Sequence, residues 1–197
     1  MPKGIPLTEE DLSSRRREIF AAAVHLILEK GFQETSMRQI AEAAGMGKSS
    51  LYDYFRTKDE ILVFVIEEET LIVTRQAEAI AALALPPAVR LRQIMRMHLD
   101  FMQANKNLLV RLGGEAQRLK PESQARINQR RYAYQDLVAA IIQEGIDQGC
   151  FRPVNALNAA RLLINSLLSA LYTSRPTGSA EEMVDEAVEI FLHGLRI

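Results

Sequence analysis

The sequence predicts an all-α fold, and three observations support this class. Apolar residues recur at helical spacing along nearly the whole chain of 197 residues. Alternating Val, Ile and Thr stretches bounded by Asn-Gly or Asp-Gly turns are absent. Glycine, proline and helix-capping residues divide the apolar stretches into separate segments. With 48% hydrophobic and 25% charged residues, the chain can bury the core of one large or two small helical domains.

Caps and stops delimit four helices in the first part of the chain. Gly31 suits the left-handed residue that ends a helix. Ser36 with Gln39, and Thr57 with Glu60, form two capping-box signals, in which each side chain satisfies an otherwise unpaired backbone donor. The predicted helices run from about Ser14 to Lys30, from Ser36 to Ala44, from Lys48 to Tyr54, and from Lys58 to Ala77.

Two proline signals organise the rest of the chain. Pro86 and Pro87 mark a connection, because the residue before a proline is pushed out of the α region. Pro121 suits the first turn of a helix. The later helices are expected at about Ala88 to Ala104, Leu108 to Leu119, Pro121 to Gln148, Asn155 to Thr173 and Ala180 to Leu195. About nine helices result, which we divide into an N-terminal unit, residues 1–62, and a larger helical body, residues 63–197.

Composition excludes several classes of protein. The formal net charge of −1 excludes a protein that coats nucleic acid through a uniformly basic surface. Cys150 is the single cysteine, so an internal disulfide is excluded, and His25, His98 and His193 lack the spacing of a zinc site. The start of the chain is polar and no later run reaches the about 18 apolar residues of a membrane span. We therefore expect a soluble, cytoplasmic chain with no membrane association, metal or cofactor.

The segment from Thr35 to Phe55 has the pattern of a helix-turn-helix. Ala41 is small enough for a second helix to cross closely, and Gly45 can adopt the positive φ of a tight turn. Ile40 and Leu51 are then expected to meet across the crossing. The outer face is left with groups that can reach base edges and phosphates, namely Lys48, Ser49, Ser50, Tyr52, Asp53 and Tyr54. Residues 12–58 carry eight basic against five acidic side chains, which favours the same interpretation.

A purely structural interpretation of this segment is the alternative. The two helices could form a hairpin inside a bundle, with Tyr52, Tyr54 and Phe55 in its core. The run Arg15-Arg16-Arg17 could likewise be a solvated helix face rather than an anchor for the DNA backbone.

From Arg17 to Leu62 the sequence resembles the DNA-binding domain of the TetR family of bacterial transcriptional regulators. The matching positions are Ile19, Ala22, Ala23, Gly31-Phe32, Thr35-Ser36, Ile40-Ala41, Ala44-Gly45, Leu51-Tyr52, Tyr54-Phe55, Lys58 and Leu62. The resemblance implies that Lys58 meets a phosphate and that these further residues approach DNA: Ser36, Met37, Arg38, Lys48, Ser49, Ser50, Tyr52 and Tyr54. Gly47 departs from the pattern, since many relatives have a serine cap there, and Asp53 adds a negative charge near the phosphates.

The resemblance also implies a cavity for a small, often hydrophobic effector in the helical body. His98 shares a helix face with Leu91, Ile94 and Met95, and Arg131 and Tyr134 fall on one apolar stripe of a later helix. The candidate ligand-binding residues are Met95, His98, Phe101, Met102, Arg131 and Tyr134. The alternative is that His98 and Arg131 are core residues satisfied by a carboxylate such as Glu115 or by the backbone.

The last two predicted helices carry apolar residues on more than one face, whereas a surface helix needs only one apolar stripe. The surplus suits a twofold interface built as a four-helix bundle. The candidate interface residues are Ile164, Leu167, Leu168, Leu171, Val184, Val188 and Phe191. A homodimer of this kind would place two recognition helices about 34–36 Å apart on double-stranded DNA and would read a palindromic operator.

The expected function is a ligand-responsive, homodimeric transcriptional repressor whose small-molecule effector shifts the recognition helices away from operator spacing. The helix from Lys58 and the helix after Pro87 would transmit that shift. An activator with the same fold is one alternative. An enzyme that uses His98 as a base and a helical adaptor without DNA are less favoured, because the sequence has no nucleophile elbow, phosphate loop or metal-ligand spacing.

Overall fold

The computed structural model of the chain describes residues 9–195, and within this range it contains nine helices and no strand. The polar start of the chain up to residue 8 lies outside the described residues. The helices are α1 Glu9–Lys30, α2 Met37–Ala43, α3 Lys48–Tyr54, α4 Lys58–Ala81, α5 Pro87–Ala104, α6 Lys106–Ala116, α7 Pro121–Asp147, α8 Ala156–Tyr172 and α9 Ala180–Leu195. The predicted all-α class is confirmed. The main differences are that α1 begins five residues earlier, α4 ends four residues later and α6 ends three residues earlier than predicted.

Local signals in the sequence place the helix ends. Gly31 and Gly45 have φ values of 87° and 66°, so both adopt the left-handed conformation that the turns require. At Ser36 both bonds of the capping box with Gln39 are present. At the start of α4, the Glu60 backbone donates to Thr57 Oγ1 at 3.2 Å. The Glu60 carboxylate accepts from the Arg56 backbone nitrogen instead of from Thr57 itself.

Contacts divide the chain into two compact units, and unit 1 comprises described residues 9–68 and 107–127. In unit 1, α1 packs against α2 and α2 against α3. Apolar residues of α6 and of the segment that follows it lie in the same core cluster as those of α1 to α4. They are Leu108, Leu112, Ala116, Leu119 and Ile127. The division predicted after Leu62 did not anticipate that residues 107–127 join the N-terminal helices.

Unit 2 comprises described residues 69–106 and 128–195. Helix α9 packs against α5 and α8, and α5 also contacts α8. Arg92 pairs with Glu189, and Arg96 bonds Asp185 at 2.6 Å and Glu181 at 2.9 Å, so charged pairs join the edges of α5 and α9. These groups are roughly half exposed, and exposed ion pairs contribute little to stability. The buried apolar faces therefore hold the three helices together.

Two charged residues are buried in unit 2. Arg90 donates to the Ala81 carbonyl at 2.9 Å and to the Glu144 carboxylate, which ties the end of α4 to α7. Glu69 on α4 is 7% exposed, and its Oε2 has no hydrogen-bond partner. Burial raises the pKa of the Glu69 carboxyl, because desolvation disfavours the charged form.

Candidate functional site

Helices α2 and α3 form a helix-turn-helix on the surface of unit 1. Ala41 is 1% exposed, so a small side chain fills the crossing of α2 with its neighbours. The Met46 backbone nitrogen bonds the Ala41 carbonyl at 2.9 Å, which closes the turn around Gly45. Ile40 and Leu51 are both buried in the same core cluster. The predicted turn at Gly45 and the predicted small, buried residue at Ala41 are thereby confirmed.

The helix α3 buries Leu51 and leaves its other face to solvent. Lys48, Ser49, Ser50 and Asp53 are exposed, as is Tyr52 with 43% of its surface accessible. The ammonium group of Lys48 lies 5.8 Å from the centre of the Tyr52 ring, a weak cation–π contact that fits two exposed side chains one turn apart. Tyr52 is therefore not a core residue, and α3 presents hydrogen-bonding groups to whatever approaches it.

The hairpin interpretation fits only the end of α3. Tyr54 and Phe55 are partly buried and pack against the core cluster of unit 1. The Phe55 ring lies 5.1 Å from the Phe64 ring, centre to centre. Gly47 caps α3 without a side-chain hydrogen bond, in agreement with the departure noted in the sequence.

The candidate DNA-binding residues at the start of α2 differ in their exposure and in the contacts that their side chains already make. Ser36 is exposed, but its hydroxyl already takes part in the capping box. Met37 is partly buried against the core cluster. Arg38 is exposed, and its Nε donates to Glu42 Oε1 at 2.7 Å. Arg38 is therefore the long basic side chain of α2 that extends into solvent.

Lys58 has a structural role that the sequence did not indicate. Its Nζ donates to the carbonyl oxygens of Phe32 and Gln33 at 2.9 and 3.0 Å. It also lies 4.5 Å above the Phe32 ring. Lys58 thus fastens the loop between α1 and α2 to the start of α4, and one ammonium donor is left over. Its contact with a phosphate stays a prediction.

The three consecutive arginines in α1 are not equivalent. Arg15 bonds Glu18 at 2.7 Å, and both side chains are nearly half exposed. Arg16 and Arg17 are exposed. The run is a solvated face of α1 in the structure, and its use as a backbone anchor is not tested by these contacts.

In unit 2, two of the candidate ligand-binding residues, His98 and Tyr134, form a polar pair. His98 Nδ1 and the Tyr134 hydroxyl are 2.9 Å apart, and the two rings meet edge to face with centres 5.0 Å apart. Burial lowers the pKa of His98 to about 4 and raises the pKa of Tyr134. His98 is therefore neutral at physiological pH, and its partner is Tyr134 rather than the carboxylate or backbone group expected from the sequence.

The other ligand candidates fall into two environments. Met95 and Met102 are buried, and Phe101 is partly buried. Arg131 is exposed, so the expectation that its guanidinium lies among apolar neighbours is wrong. A charged group on a long stem reaches water even from a position next to an apolar stripe, because its desolvation is costly.

The candidate interface residues of α8 and α9 also divide into buried residues and residues that are at least partly exposed. Leu167, Leu171, Val184 and Val188 are buried within the chain itself, so they belong to the subunit core and their assignment to an interface is corrected. Ile164 and Phe191 are partly buried, and Leu168 is exposed. The most exposed of the large apolar side chains of these helices, Leu162 and Ile190, were not predicted; they are 61% and 67% exposed.

The structure shows three further features that the sequence did not predict. Glu69 stands in the run Glu67-Glu68-Glu69, and only helical phase could have singled it out as the buried acid. Lys106 Nζ donates to the Leu171 carbonyl at 3.0 Å, at the end of α8. Glu115, proposed from the sequence as a partner for a buried base, instead accepts from Gln33 within unit 1.

An exposed polar helix set on a buried helix crossing is the architecture of the helix-turn-helix class of DNA-binding proteins. Residues 19–64 match a family model described as bacterial regulatory proteins, tetR family. Residues 84–195, more than half of the chain, match a tetracyclin repressor-like C-terminal domain. The chain belongs to the TetR family of bacterial regulatory proteins, and it is a DNA-binding transcriptional regulator rather than an enzyme.

Several relatives match nearly the full chain. The HTH-type transcriptional repressor KstR2 of Mycolicibacterium smegmatis is 25% identical over 194 residues, 96% of this chain and 95% of that protein. The fatty acid metabolism regulator protein of Bacillus subtilis is 25% identical over 158 residues, 80% of this chain and 81% of that protein. The structure of AibR in complex with isovaleryl coenzyme A and operator DNA is 27% identical with a TM-score of 0.68, and covers 89% of this chain and 97% of AibR.

Within residues 9–195, no helix combines the length and the apolar character needed to cross a membrane.

The partial burial of His98 makes stability depend on pH. Its pKa is lowered to about 4 from an ordinary value of 6.5, so the unfolded chain binds a proton between these pH values and the folded chain does not. The stability that neutral His98 contributes is therefore present above pH 6.5 and is lost as the pH falls toward 4. We expect this group to remove roughly 3 kcal/mol from the free energy of unfolding across that window. Urea denaturation as a function of pH measures the loss. His98→Gln should flatten the profile, whereas the exposed His25→Gln should not; equal flattening by both variants would contradict the assignment.

Proposed function

We propose that this regulator is a repressor that binds a palindromic operator as a homodimer and is released by a small hydrophobic effector. The observation that carries the proposal is the exposed polar face of α3, held on a buried helix crossing in unit 1. The full-length similarity to the repressor KstR2 favours repression over activation. Such a regulator acts on bacterial DNA, so we assign it to the cytoplasm.

The proposed DNA interface is built from α3 and the first turn of α2. Lys48, Ser49, Ser50 and Tyr52 supply exposed donors and acceptors for base edges and phosphates. Arg38 adds an exposed guanidinium. Ser36, Met37, Tyr54 and Lys58 lie at the margin, where their other bonds and packing restrict them to backbone contacts.

Replacing two exposed residues of α3 tests this interface. Lys48→Ala combined with Tyr52→Ala should leave folding intact, since neither side chain is buried. Operator affinity should fall about tenfold or more, and the dependence of affinity on salt should weaken. The operator is first selected from a random duplex pool, and affinity is then measured by fluorescence anisotropy. Lys120→Ala with Tyr132→Ala, an exposed pair outside α2 and α3, serves as the control. Unchanged operator affinity in the α3 variant, or an equal loss of affinity in the control, would contradict the assignment of α3 to the DNA interface.

The proposed dimer uses the outward faces of α8 and α9. Leu162, Leu168 and Ile190 expose apolar surface that a single chain leaves in water. A twofold contact through these helices would bury it, and partly buried Ile164 and Phe191 would lie at its edge. Burial of such side chains stabilises an interface by about 1.5–3 kcal/mol each at most.

Charged substitutions on this face test the dimer. Leu162→Asp with Ile190→Asp should give monomers in light scattering and should lose operator affinity, because one subunit reads only one half-site. Val110→Asp is the control, since Val110 is 56% exposed and lies on α6. A dimer that survives the double substitution would place the interface elsewhere.

We propose an acyl-coenzyme A as the effector. AibR is complexed with isovaleryl coenzyme A, and the Bacillus subtilis relative is a regulator of fatty acid metabolism. Met95, Phe101 and Met102 supply apolar surface for the acyl chain, next to the His98–Tyr134 pair. Exposed Arg131 suits the anionic phosphates of such a ligand better than it suits an apolar pocket.

The effector class is tested by release of operator DNA. Isovaleryl and long-chain acyl-coenzyme A thioesters should weaken operator binding about 5- to 150-fold, the usual range of allosteric coupling. Free coenzyme A, which lacks the acyl chain, is the control. Release by none of the thioesters, or equal release by free coenzyme A, would refute this effector class while leaving the DNA interface intact.

The structure suggests a route for the coupling. Helix α6 begins at Lys106, which bonds the last turn of α8 through the Leu171 carbonyl. Its remaining residues belong to unit 1, and their apolar side chains lie in the core cluster of the DNA-binding helices. A ligand that displaces α5 or α8 would therefore pull on α6, in addition to the route through α4 and α5 expected from the sequence.

A further inference from the structure

The ion pair between Arg38 and Glu42 on α2 has a specific geometry. The two residues are one helical turn apart, and Arg38 Nε donates to Glu42 Oε1 at 2.7 Å. Their side chains are 76% and 60% exposed, so the pair stands in solvent on the outer face of α2. Between them, Ile40 and Ala41 are buried, which fixes the direction in which that face points. The capping box at Ser36 fixes the start of the same helix.

The bond to Glu42 uses one particular donor of the guanidinium. An arginine has five N–H donors in a planar fork, and the two terminal amino groups, Nη1 and Nη2, carry four of them. Glu42 takes the Nε donor and leaves both terminal groups of Arg38 without a bond to it. Elsewhere in the described chain, the ion pairs of Arg15, Arg90 and Arg96 engage terminal groups. Arg38 thus keeps the edge that can bond a guanine through O6 and N7.

We propose that Glu42 is a positioning residue that holds Arg38 ready to read a guanine in the operator, an inference that rests on the proposed DNA interface. A free arginine on a helix surface loses rotamer entropy when it binds a base. An arginine already oriented by a neighbouring carboxylate loses less of it. Glu42 therefore acts through Arg38 and does not itself contact DNA.

Because Glu42 is negatively charged, we expect it to increase the preference for the operator over random DNA and not the affinity for DNA in general. A carboxylate on the DNA-facing side of α2 repels phosphates at any sequence, which weakens non-specific binding. The oriented guanidinium strengthens binding only where a guanine is in register. Glu42 would thus widen the difference between operator and random DNA even though it adds no contact of its own. An acid that merely stabilised α2 would change both affinities alike.

The experiment compares four variants on the operator selected from a random duplex pool, with each base pair of the half-site substituted in turn. Arg38→Ala should lose about 5- to 150-fold discrimination at one base pair, which identifies the base that Arg38 reads. Glu42→Ala should lose about two- to tenfold discrimination at that same base pair. Its affinity for random DNA should be equal or higher. Glu42→Gln keeps an oxygen acceptor for Nε and should restore the discrimination at that base pair, whereas its affinity for random DNA should match that of Glu42→Ala, because both variants lack the charge. Glu42→Ala should add nothing to Arg38→Ala.

Glu18→Ala is the matched control, because it removes the carboxylate partner of another exposed arginine of unit 1, Arg15. It should leave the base preferences unchanged. Loss of affinity spread evenly over all positions in Glu42→Ala would overturn the positioning role, as would no loss at the position that Arg38→Ala identifies. If the wild-type protein enriches no sequence, the operator proposal fails and this inference fails with it. If the wild-type protein enriches an operator but Glu42→Ala leaves its base discrimination unchanged, this inference is overturned and the operator proposal stands.

Discussion

The apolar core of unit 1 is the constraint on which the rest of the structure depends. It gathers side chains from α1, α2, α3 and the start of α4, and it also takes in Leu108, Leu112 and Ala116 from α6. Burying these residues fixes the crossing of α2 with α3, so that Leu51 of α3 is buried and Tyr54 is partly buried against the same core. The polar face of α3 is exposed as a consequence of this packing. Because α6 shares the core, its apolar side chains pack in the same cluster as those of α1 to α4.

Hydrogen bonds of polar side chains order the loops and helix ends around the apolar cores. Lys58 closes the loop between α1 and α2, and the capping box at Ser36 orders the first turn of α2. In unit 2 the His98–Tyr134 pair satisfies two polar groups inside an apolar layer, so neither is left with an unpaired hydrogen-bonding atom at their contact. Glu69 is different, since one of its carboxylate oxygens is buried without a partner. Groups of that kind reduce stability, and proteins retain them mainly where function requires them.

The sequence predicted the helices well because their signals are local. Gly31, Gly45 and the caps at Ser36 and Thr57 act within a few residues, and each lies where the structure places a helix end. The exposed residues of α3 were also predicted, since a helix-turn-helix is specified by small and apolar residues over about twenty positions. The pairing of His98 with Tyr134 was not predicted, because 36 residues separate them and the apolar stripe offers several partners.

The sequence by itself determined the all-α class, the number of helices, the ends marked by glycines and caps, the helix-turn-helix and the family, because neighbouring residues specify backbone conformation and amphipathic period. Tertiary structure alone decided which apolar face of α8 and α9 turns inward. Leu167 and Val188 became core, whereas Leu162 and Ile190 stayed exposed, although all four are apolar and lie at helical spacing. It also decided that Arg131 reaches solvent and that α6 packs with the DNA-binding helices. These outcomes depend on which distant surfaces fit together, and no local pattern encodes that fit.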